Sequence, residues 1–588
     1  MTLRRPSLSP LPITVPLTIV YDAREKTFQE SHGEILLNRI IFFVLTIALA
    51  SGAQQARPPK PEVQKTTPAH PATPPKTEQP PQEATQNAQE EGRSPRTAVT
   101  GEEGKERSGE QHFDMTESPP VVTHHQISVN GRVLRYTASV GRMPIKDAMG
   151  KTEALMFYVA YTLDNADANQ RPLTFAFNGG PGAASIWLHM GALGPRRVVL
   201  QKDGFMPAAP YRFTDNASTL LDKSDLVLVD AIGTGFSRPL SASVGKKFWS
   251  VKGDLESFGE FVRLYITRNE RWSSPLFLFG ESYGTTRAAG VSGHLASKGI
   301  SFNGIVLLST VLSFQTLEFN KTNDVPYPLI LPSYTMIAAY HHKLAPELAQ
   351  DLERTRSEVE RWASNEYTRA LAKGDALSPQ ERQSVIDTLA RYTGLSKEFI
   401  DESNLRVDVS GFTHRLLARE KLRVGRLDGR FAGPDPEGFN DTHFYDPTSS
   451  ATEPPFNSAF NDYVRRELNY KTDMPYYVSA HQDWGPAFDW NWGSAVAGFP
   501  DTASALREAI VKNPYLKVKV LEGYYDLATP YYAANYTMEH LDLSSHYRNN
   551  ISYATYPSGH MVYLETQSLK KMKDDVASFI DQCLPSTQ

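Results

Sequence analysis

Short apolar runs recur along the chain and alternate with longer segments of helical period. Runs that are apolar throughout are typical of strands buried on both faces of a sheet. Short segments rich in apolar residues, some of which also contain polar ones, predict parallel strands at Leu173–Phe177, Leu226–Asp230, Leu276–Phe279, Gly304–Leu308, Leu516–Leu521 and Ile551–Tyr556. Helices are predicted between them, including Gly284–Lys298, and after the last of them at Leu569–Gln582. Repeated alternation of strand and helix predicts an α/β fold with a doubly wound, mostly parallel sheet.

The pattern is different before the first parallel strand. Gln126–Val129 and Arg132–Tyr136 flank the dipeptide Asn130-Gly131, which predicts a two-residue β-hairpin turn. A further strand is expected at Ala154–Tyr161. These segments predict an antiparallel part at the beginning of the folded domain, which we expect to span residues 121–588.

A long segment separates the strands Gly304–Leu308 and Leu516–Leu521. Its first half has helical period, for example at Leu344–Glu353 and Pro379–Tyr392. We interpret residues 313–510 as a largely helical cap inserted over the functional site. Segments that cover a site in this way commonly shape its pocket.

The N-terminal region contains a candidate targeting segment. Asn38-Arg39 precedes the apolar run Ile40–Ala50, and small residues follow, so residues 38–53 resemble a secretory signal peptide cleaved near Ala50 or Ala53. The run is shorter than the ~20 residues of a membrane-spanning helix, so we expect no membrane span in the mature protein. This predicts export to the periplasm or the medium.

Two flanking segments complete this N-terminal organisation. Residues 1–37 are long for an n-region, so we expect either an extended n-region or a true translation start near Ile35 or Leu36. Residues 54–120 are rich in Pro, Gln and Glu and poor in aromatic residues, which predicts a disordered linker. The linker is either a flexible spacer or a tail without a specific role.

Composition narrows the function classes. Of 588 residues, 40% are hydrophobic and 22% are charged, as in ordinary globular proteins. The net charge of −5 offers no basic footprint for nucleic acid. Because Cys583 is the single cysteine, no intrachain disulfide can form. His124-His125 and His341-His342 lack a third ligand at metal-binding spacing, so we expect no metal and no cofactor, while the oligomeric state stays open.

The apolar run that ends at Phe279 leads directly into Gly280-Glu281-Ser282-Tyr283-Gly284. A buried strand followed by G-x-S-x-G is the pattern of the nucleophile elbow in α/β-hydrolases. The glycines permit a sharp turn from strand to helix, which exposes the hydroxyl of Ser282. The sequence therefore predicts Ser282 as a nucleophile.

Two later strand ends supply the partners that a serine nucleophile needs. The strand Leu516–Leu521 leads to Asp526, and the strand Ile551–Tyr556 leads to His560. The order Ser282, Asp526, His560 is that of an α/β-hydrolase triad. His560 would accept the serine proton, and Asp526 would orient the imidazole.

A glycine-rich loop follows the strand Leu173–Phe177 and reads Asn178-Gly179-Gly180-Pro181-Gly182. Backbone N–H groups in such a loop can approach a developing negative charge. Together with the N–H of the residue after the nucleophile, they form the usual oxyanion hole. Gly180 and Tyr283 are the predicted donors.

These motifs together resemble the serine carboxypeptidase family, peptidase family S10. The family patterns N-G-G-P-G, G-E-S-Y-x-G, G-x-x-D and G-H-M occur in order, and Asp230–Ser237 is similar to the family's D-x-P-x-G-x-G-F-S loop. The resemblance implies an α/β-hydrolase that removes C-terminal residues from peptide substrates through an acyl-enzyme. Eukaryotic members generally have several disulfides, so the chain resembles the bacterial branch.

The resemblance also implies how the substrate's C-terminal carboxylate is bound. The family's asparagine and glutamate for this task correspond to Asn178 and Glu281. Two carboxyl groups share a hydrogen bond only if one is protonated, which implies a neutral Glu281 and activity at acidic pH. Glu281 would also suit a helix N-terminus, and this role is compatible with carboxylate binding.

Three positions depart from the family pattern. Ala192 stands where many relatives have a glutamate of the carboxylate-binding network, Ala176 replaces a tryptophan and Ala183 replaces a cysteine. Arg287 could supply a positive charge for a carboxylate, but a buried structural ion pair is the alternative. Three functions follow: an exported carboxypeptidase, an esterase or acyltransferase that uses the same triad, or a binding protein without catalysis.

Overall fold

Helices cover both faces of a ten-stranded mixed sheet. A computed structural model describes residues 112–436, 438, 445–493 and 498–584. The strands are β1 (Val121–Val129), β2 (Arg132–Lys146), β3 (Thr152–Leu163), β4 (Leu173–Phe177), β5 (Arg196–Val198), β6 (Phe213–Asp215), β7 (Asp225–Val229), β8 (Arg238–Pro239), β9 (Leu276–Glu281), β10 (Gly304–Leu308), β11 (Arg423–Val424), β12 (Ala432–Gly433), β13 (Lys517–Gly523) and β14 (Ile551–Tyr556).

The strand order in the large sheet is β1-β2-β3-β7-β4-β9-β10-β13-β14, and β8 pairs with β3. Strands β7, β4, β9, β10, β13 and β14 run parallel to one another. The first three strands are antiparallel, and β3 joins the parallel part through β7. This topology confirms the predicted mostly parallel α/β-hydrolase sheet with an antiparallel beginning.

The central parallel strands β4, β7, β9 and β10 are mostly apolar because both faces of the sheet are covered there. In β4, Phe175 and Phe177 belong to the hydrophobic cluster on one face, and Ala176 belongs to the cluster on the other. In β10, Ile305 and Val306 divide between the same two clusters. Successive side chains of a strand point to opposite faces, so both faces of these strands are buried.

The predicted hairpin turn is confirmed. Val129 pairs with Arg132, so the loop has two residues, Asn130 and Gly131. Their φ angles are 50° and 75°. Positive φ at both central positions is characteristic of a type I′ turn, which matches the twist of the flanking strands.

The α-helices are α1 (Ile186–Leu188), α2 (Ala242–Phe248), α3 (Val251–Arg268), α4 (Tyr283–Ala296), α5 (Pro326–Tyr340), α6 (Pro346–Ala349), α7 (Leu352–Trp362), α8 (Thr368–Lys373), α9 (Pro379–Thr393), α10 (Lys397–Glu402), α11 (Val409–Arg415), α12 (Pro447–Arg466), α13 (Ala480–Asp483), α14 (Ala503–Lys512), α15 (Tyr531–Glu539), α16 (Ser545–Arg548) and α17 (Thr566–Cys583). Helices α3, α4 and α14 bury side chains in the cluster on one face of the sheet. Helices α12 and α17 do so on the opposite face.

The predicted cap, residues 313–510, is divided in the structure. Helices α5 to α11 enclose a hydrophobic cluster of their own, so this part is a separate helical layer. Helices α12 and α14, by contrast, pack in the two clusters of the sheet itself. Helical period identifies a helix but not the partner of its apolar face, which is why the predicted cap is too wide.

Two further boundaries differ from the prediction. The helical segment Leu344–Glu353 is broken, because Asp351 caps α7 by accepting a hydrogen bond from Arg354 N at 3.0 Å. The predicted linker ends earlier than residue 120, since Phe113 N donates to Leu240 O at 2.8 Å and the Phe113 ring lies 5.8 Å from that of Trp484.

The predicted signal peptide at 38–53, the segment 1–37 and most of the linker at 54–120 lie outside the described residues. Within the residues that are described, no helix combines the length and apolar character needed to cross a bilayer.

Candidate active site

Ser282 occupies the turn between β9 and α4. Its φ and ψ are 62° and −132°, a conformation that a non-glycine residue rarely adopts. The backbone N–H of Ser282 donates to Leu308 O at 2.9 Å, which ties the turn to the end of β10. The predicted strand–serine–helix elbow is therefore present.

The glycines on either side of Ser282 are required by close packing of the backbone. A Cβ on Gly280 would overlap the carbonyl oxygen of Gly284, and a Cβ on Gly284 would lie 2.7 Å from Phe177 O. Real Cβ atoms do not approach backbone oxygen this closely. Only glycine at both positions permits the tight turn and its contact with β4.

His560 and Asp526 meet behind the serine. His560 Nδ1 lies 2.7 Å from Asp526 Oδ2, and both side chains are buried. Burial lowers the pKa of His560, but the Asp526 carboxylate raises it by charge and hydrogen bonding, so that the net pKa lies above its ordinary value. The bond through Nδ1 leaves Nε2 of the imidazole as the nitrogen available to Ser282.

Asp526 is held by the backbone that follows it. Its Oδ1 accepts hydrogen bonds from Ala528 N at 2.7 Å and Thr529 N at 3.0 Å. The hydroxyl of Thr529 donates to Oδ2 at 2.7 Å and lies 3.1 Å from His560 Nδ1. These donors fix the orientation of the carboxylate.

The backbone of His560 is fixed by two further contacts. Its N–H donates to Leu427 O at 2.7 Å, and its carbonyl accepts from the hydroxyl of Ser309 at 2.6 Å. Sequence reasoning missed Ser309, because nothing in the local pattern after β10 marks it as a neighbour of His560.

One cavity of about 310 Å³ joins most of the predicted site residues. Among its lining residues are Asn178, Gly180, Glu281, Ser282 and His560. Asp526 and Tyr283 do not line the cavity: Asp526 lies behind His560, and the predicted contribution of Tyr283 is its backbone N–H. The structure thus brings the predicted nucleophile and base to one enclosed space.

The loop Asn178–Gly182 packs directly on the beginning of α4. A Cβ on Gly179 would overlap the backbone nitrogens of Tyr283 and Gly284. Gly180, with φ of 101°, is next in the loop and lines the cavity. The two predicted oxyanion donors, Gly180 N and Tyr283 N, therefore belong to backbone segments in van der Waals contact.

Arg287 bonds to the backbone of this loop and does not line the cavity. Its Nε and Nη2 donate to Asp254 at 2.8 Å and 3.0 Å, and Nη1 donates to the carbonyl of Asn178. Of the two alternatives for Arg287, the buried structural ion pair is the one present.

Glu281, at the end of β9, is buried beside the triad. Burial raises its pKa to about 7, while the charge of His560 and the hydrogen bonds from Tyr563 and Asn178 act in the opposite direction. Tyr563 Oη lies 2.9 Å from Glu281 Oε2. Asn178 Oδ1 accepts a hydrogen bond from Leu188 N at 2.9 Å. The side-chain NH2 group of Asn178 is therefore the part that donates to Glu281.

The three departures from the family pattern have different positions. Ala192 and Ala176 are fully buried in the core and do not line the cavity, whereas Ala183 does. Sequence reasoning missed Tyr563, which shares the segment after β14 with His560 but carries no motif of its own. It also missed Glu522, a buried carboxyl group on β13 that accepts from Thr310 N at 3.1 Å.

The sheet, the serine turn and the bonded His560–Asp526 pair form the arrangement that is typical of α/β-hydrolases. The family model described as serine carboxypeptidase, Peptidase S10, matches residues 143–389. Over these residues the chain is similar to serine carboxypeptidases.

Solved structures show similarity to hydrolases. A prohormone-processing carboxypeptidase of Saccharomyces cerevisiae is 15% identical, with 75% of this chain and 91% of that chain covered and a TM-score of 0.46. Proline iminopeptidase of Mycobacterium smegmatis is 15% identical (76% and 98% covered, TM-score 0.32). A thermostable carboxyl esterase of Bacillus coagulans is 13% identical (76% and 99% covered, TM-score 0.31). No curated protein matched the sequence.

Proposed function

We propose that the protein is an exported carboxypeptidase that removes C-terminal residues from peptides through an acyl-enzyme on Ser282. The observation that carries the proposal is the cavity in which Ser282 and His560 meet Asn178 and Glu281, with Asp526 bonded to His560 at 2.7 Å. A nucleophile, its base and two groups suited to a carboxylate thus surround one space.

The chemical steps follow from these positions. Ser282 Oγ attacks the last peptide carbonyl while His560 Nε2 takes its proton, and Asp526 stabilises the imidazolium. The N–H groups of Gly180 and Tyr283 donate to the oxyanion of the tetrahedral intermediate. His560 then protonates the departing amine, and a water molecule, activated by the same imidazole, hydrolyses the acyl-enzyme.

Selection of a free C-terminus rests on Glu281 and Asn178. With a pKa of about 7, Glu281 is mostly protonated at acidic pH and can donate a hydrogen bond to the substrate carboxylate. The amide of Asn178 is a second donor. Above this pKa the ionised Glu281 repels the substrate carboxylate, so exopeptidase activity should fade at alkaline pH.

Export is supported by the sequence alone. The apolar run Ile40–Ala50 and the small residues after it have the pattern of a cleaved signal peptide. Amino-terminal sequencing of the protein recovered from the native host's periplasm or medium tests this part. A mature terminus just after Ala50 or Ala53 supports export, and recovery of Thr2 or Arg4 contradicts it.

An esterase or acyltransferase that uses the same triad is the second candidate. The observation that favours it is that Ala192 and Ala176, the departures from the carboxylate-binding pattern, lie outside the cavity and offer the substrate carboxylate nothing. Fewer groups for the carboxylate weaken the preference for a free C-terminus over an ester.

Two measurements test these proposals. A fluorophosphonate should label the folded protein at Ser282. If no adduct forms there, both enzyme functions are contradicted and the binding protein without catalysis is favoured. Blocked dipeptides with free and amidated C-termini and the matching esters should then be compared from about pH 4 to about pH 8. We expect a preference for the free acid that declines around the pKa of Glu281, and Glu281→Gln should flatten that decline. Equal turnover of amides and esters at every pH would favour the second candidate.

A further inference from the structure

The first turns of α12 form one wall of the catalytic cavity. Ser449, Thr452 and Glu453 line the cavity that also contains Ser282. Residues at this spacing share one face of a helix, so the cavity wall carries a carboxylate within the same enclosed space as the nucleophile. Glu453 has no role in the catalytic steps or in the carboxylate binding proposed above.

Glu453 has no partner of opposite charge in the part of the chain that the structure describes. Its side chain is half-buried and makes no hydrogen bond or ion pair with those residues. Burial raises the pKa of Glu453, and the like charge of Asp483 raises it further. Because it is partly buried and lies near a like charge, the carboxylate of Glu453 is poorly stabilised in its ionised form.

The other charged groups around the cavity are engaged elsewhere. The charge of Arg426, which lines the same cavity, acts on the pKa of His560, whereas among the described residues only burial and Asp483 shift that of Glu453. Asp446, which comes just before α12, accepts hydrogen bonds from Leu427 N and Thr448 N at 3.0 Å and 2.9 Å. Glu453 is thus a carboxylate that the fold exposes to the cavity without using it.

Glu453 also lies where the cavity opens into a second one. A neighbouring pocket of about 550 Å³ shares Ser449, Glu453 and Gln482 with the catalytic cavity. A side chain next to the scissile bond can therefore extend past Glu453 into this second, more open pocket. A long side chain that ends in a charge fits this shape.

We propose that Glu453 selects peptides with a lysine or arginine side chain next to the scissile bond, which is an inference that rests on the carboxypeptidase function proposed above. An ammonium or guanidinium group offers Glu453 a charge-assisted hydrogen bond and offsets the desolvation of its carboxylate. A neutral side chain of equal length leaves that carboxylate uncompensated.

The test uses the full-length protein and matched blocked peptides. One series varies the last residue among lysine, norleucine, arginine and glutamine, and a second series varies the residue before it. We expect the wild type to prefer the cationic residue by roughly 10- to 100-fold in kcat/KM, as a charge-assisted hydrogen bond would give. The series that shows this preference identifies which side of the scissile bond faces Glu453.

Glu453→Gln should abolish the preference, with kcat/KM for lysine falling toward that for norleucine. Glu453→Lys should favour an acidic residue at the same position. Asp462→Asn is the matched control, because it removes one negative charge from the exposed side of the same helix, where Asp462 pairs with Arg466. This control should keep the wild-type preference.

Two results would overturn the inference. One is equal kcat/KM for lysine and norleucine in both series of the wild type, and the other is a parallel loss for both residues in Glu453→Gln. In either case cleavage of free C-termini would persist and the carboxypeptidase function would stand. If the wild type cleaves no free C-terminus at all, the proposed function fails first.

Discussion

The hydroxyl of Tyr563 lies 2.9 Å from Oε2 of Glu281 and 3.1 Å from Oε1, so one donor serves both carboxyl oxygens of a buried acid. The bond stabilises the ionised form of Glu281, and burial destabilises that form by more, which leaves the pKa at about 7. In the proposed function, the bond from Tyr563 therefore contributes to the pH at which a free C-terminus ceases to be accepted.

We predict that Tyr563→Phe extends activity toward alkaline pH. Loss of the hydrogen bond removes an interaction that favours the ionised carboxylate, so the pKa of Glu281 rises further and the group stays protonated longer. A bond of about 1 kcal/mol corresponds to a rise of about 0.7 in the pKa of the alkaline limb. The measurement is kcat/KM for a dipeptide with a free C-terminus across the pH range.

An amidated or ester substrate is the control in this experiment, because its turnover does not depend on a protonated Glu281. Its alkaline limb should not move. A downward movement of the limb for the free acid in Tyr563→Phe would contradict the role given to this bond.

Asp526→Asn is predicted to leave the fold intact and to lower kcat by about 10⁴. The amide oxygen of the new residue can still accept from Ala528 N and Thr529 N, which now bond Oδ1 of Asp526 at 2.7 Å and 3.0 Å. The amide nitrogen, however, cannot accept from His560 Nδ1–H, so the imidazole adopts the wrong tautomer. The rate of fluorophosphonate labelling and the thermal midpoint should be measured together.

If the thermal midpoint falls so far that Asp526→Asn is largely unfolded at the assay temperature, the loss of labelling would be due to unfolding rather than to a wrong tautomer. Thr529→Val offers a milder comparison, since it removes the hydroxyl that contacts both Asp526 and His560 but leaves the carboxylate. We expect its labelling rate to lie between those of the wild type and Asp526→Asn.

Local sequence predicted the parallel strands well. The strands at Leu173–Phe177, Gly304–Leu308 and Ile551–Tyr556 have the predicted bounds, because each run ends where turn residues begin. The glycine-rich loop at Asn178 and the turn at Ser282 could also be predicted from the sequence, because each needs glycines at fixed offsets within one short segment. The roles of these residues in catalysis stay predictions.

The groups that sequence reasoning missed are single residues without such a local requirement. Tyr563, Ser309 and Glu453 reach the site through tertiary packing, from three different parts of the chain. The division of the predicted cap was missed for the same reason: the amphipathic pattern of α12 does not reveal that its apolar side faces the sheet. Contacts between distant segments leave no periodic signal.

Gly280→Ala is predicted to destabilise the fold by about 3 kcal/mol or more, because the new Cβ would overlap the carbonyl oxygen of Gly284. The overlap is with backbone, so no side chain can move to relieve it. Urea unfolding followed by tryptophan fluorescence measures the effect. Gly299→Ala, where a Cβ meets open space, is the comparison without a steric overlap, and its φ of 79° adds a strain that Gly280 does not have. Equal destabilisation of the two variants would contradict the steric argument.

Glu522→Gln is predicted to stabilise the protein at alkaline pH more than at acidic pH. Glu522 is buried on β13, and burial raises its pKa well above the ordinary value of 4.5. The folded state therefore holds a proton that the unfolded state releases. Its contribution to stability is complete below about pH 4.5 and declines as the pH rises toward the raised pKa.

Glutamine keeps the shape of the neutral acid and an oxygen that can accept from Thr310 N, now 3.1 Å from the carboxyl group, but it never ionises. The difference in unfolding free energy between Glu522→Gln and the wild type should grow from near zero at about pH 4.5 to about 1–3 kcal/mol at about pH 8. Urea unfolding at both pH values measures this difference. Because Glu281 is unchanged in both proteins, its own titration cancels in the comparison. A difference that is constant with pH would show that Glu522 does not retain its proton in the folded state.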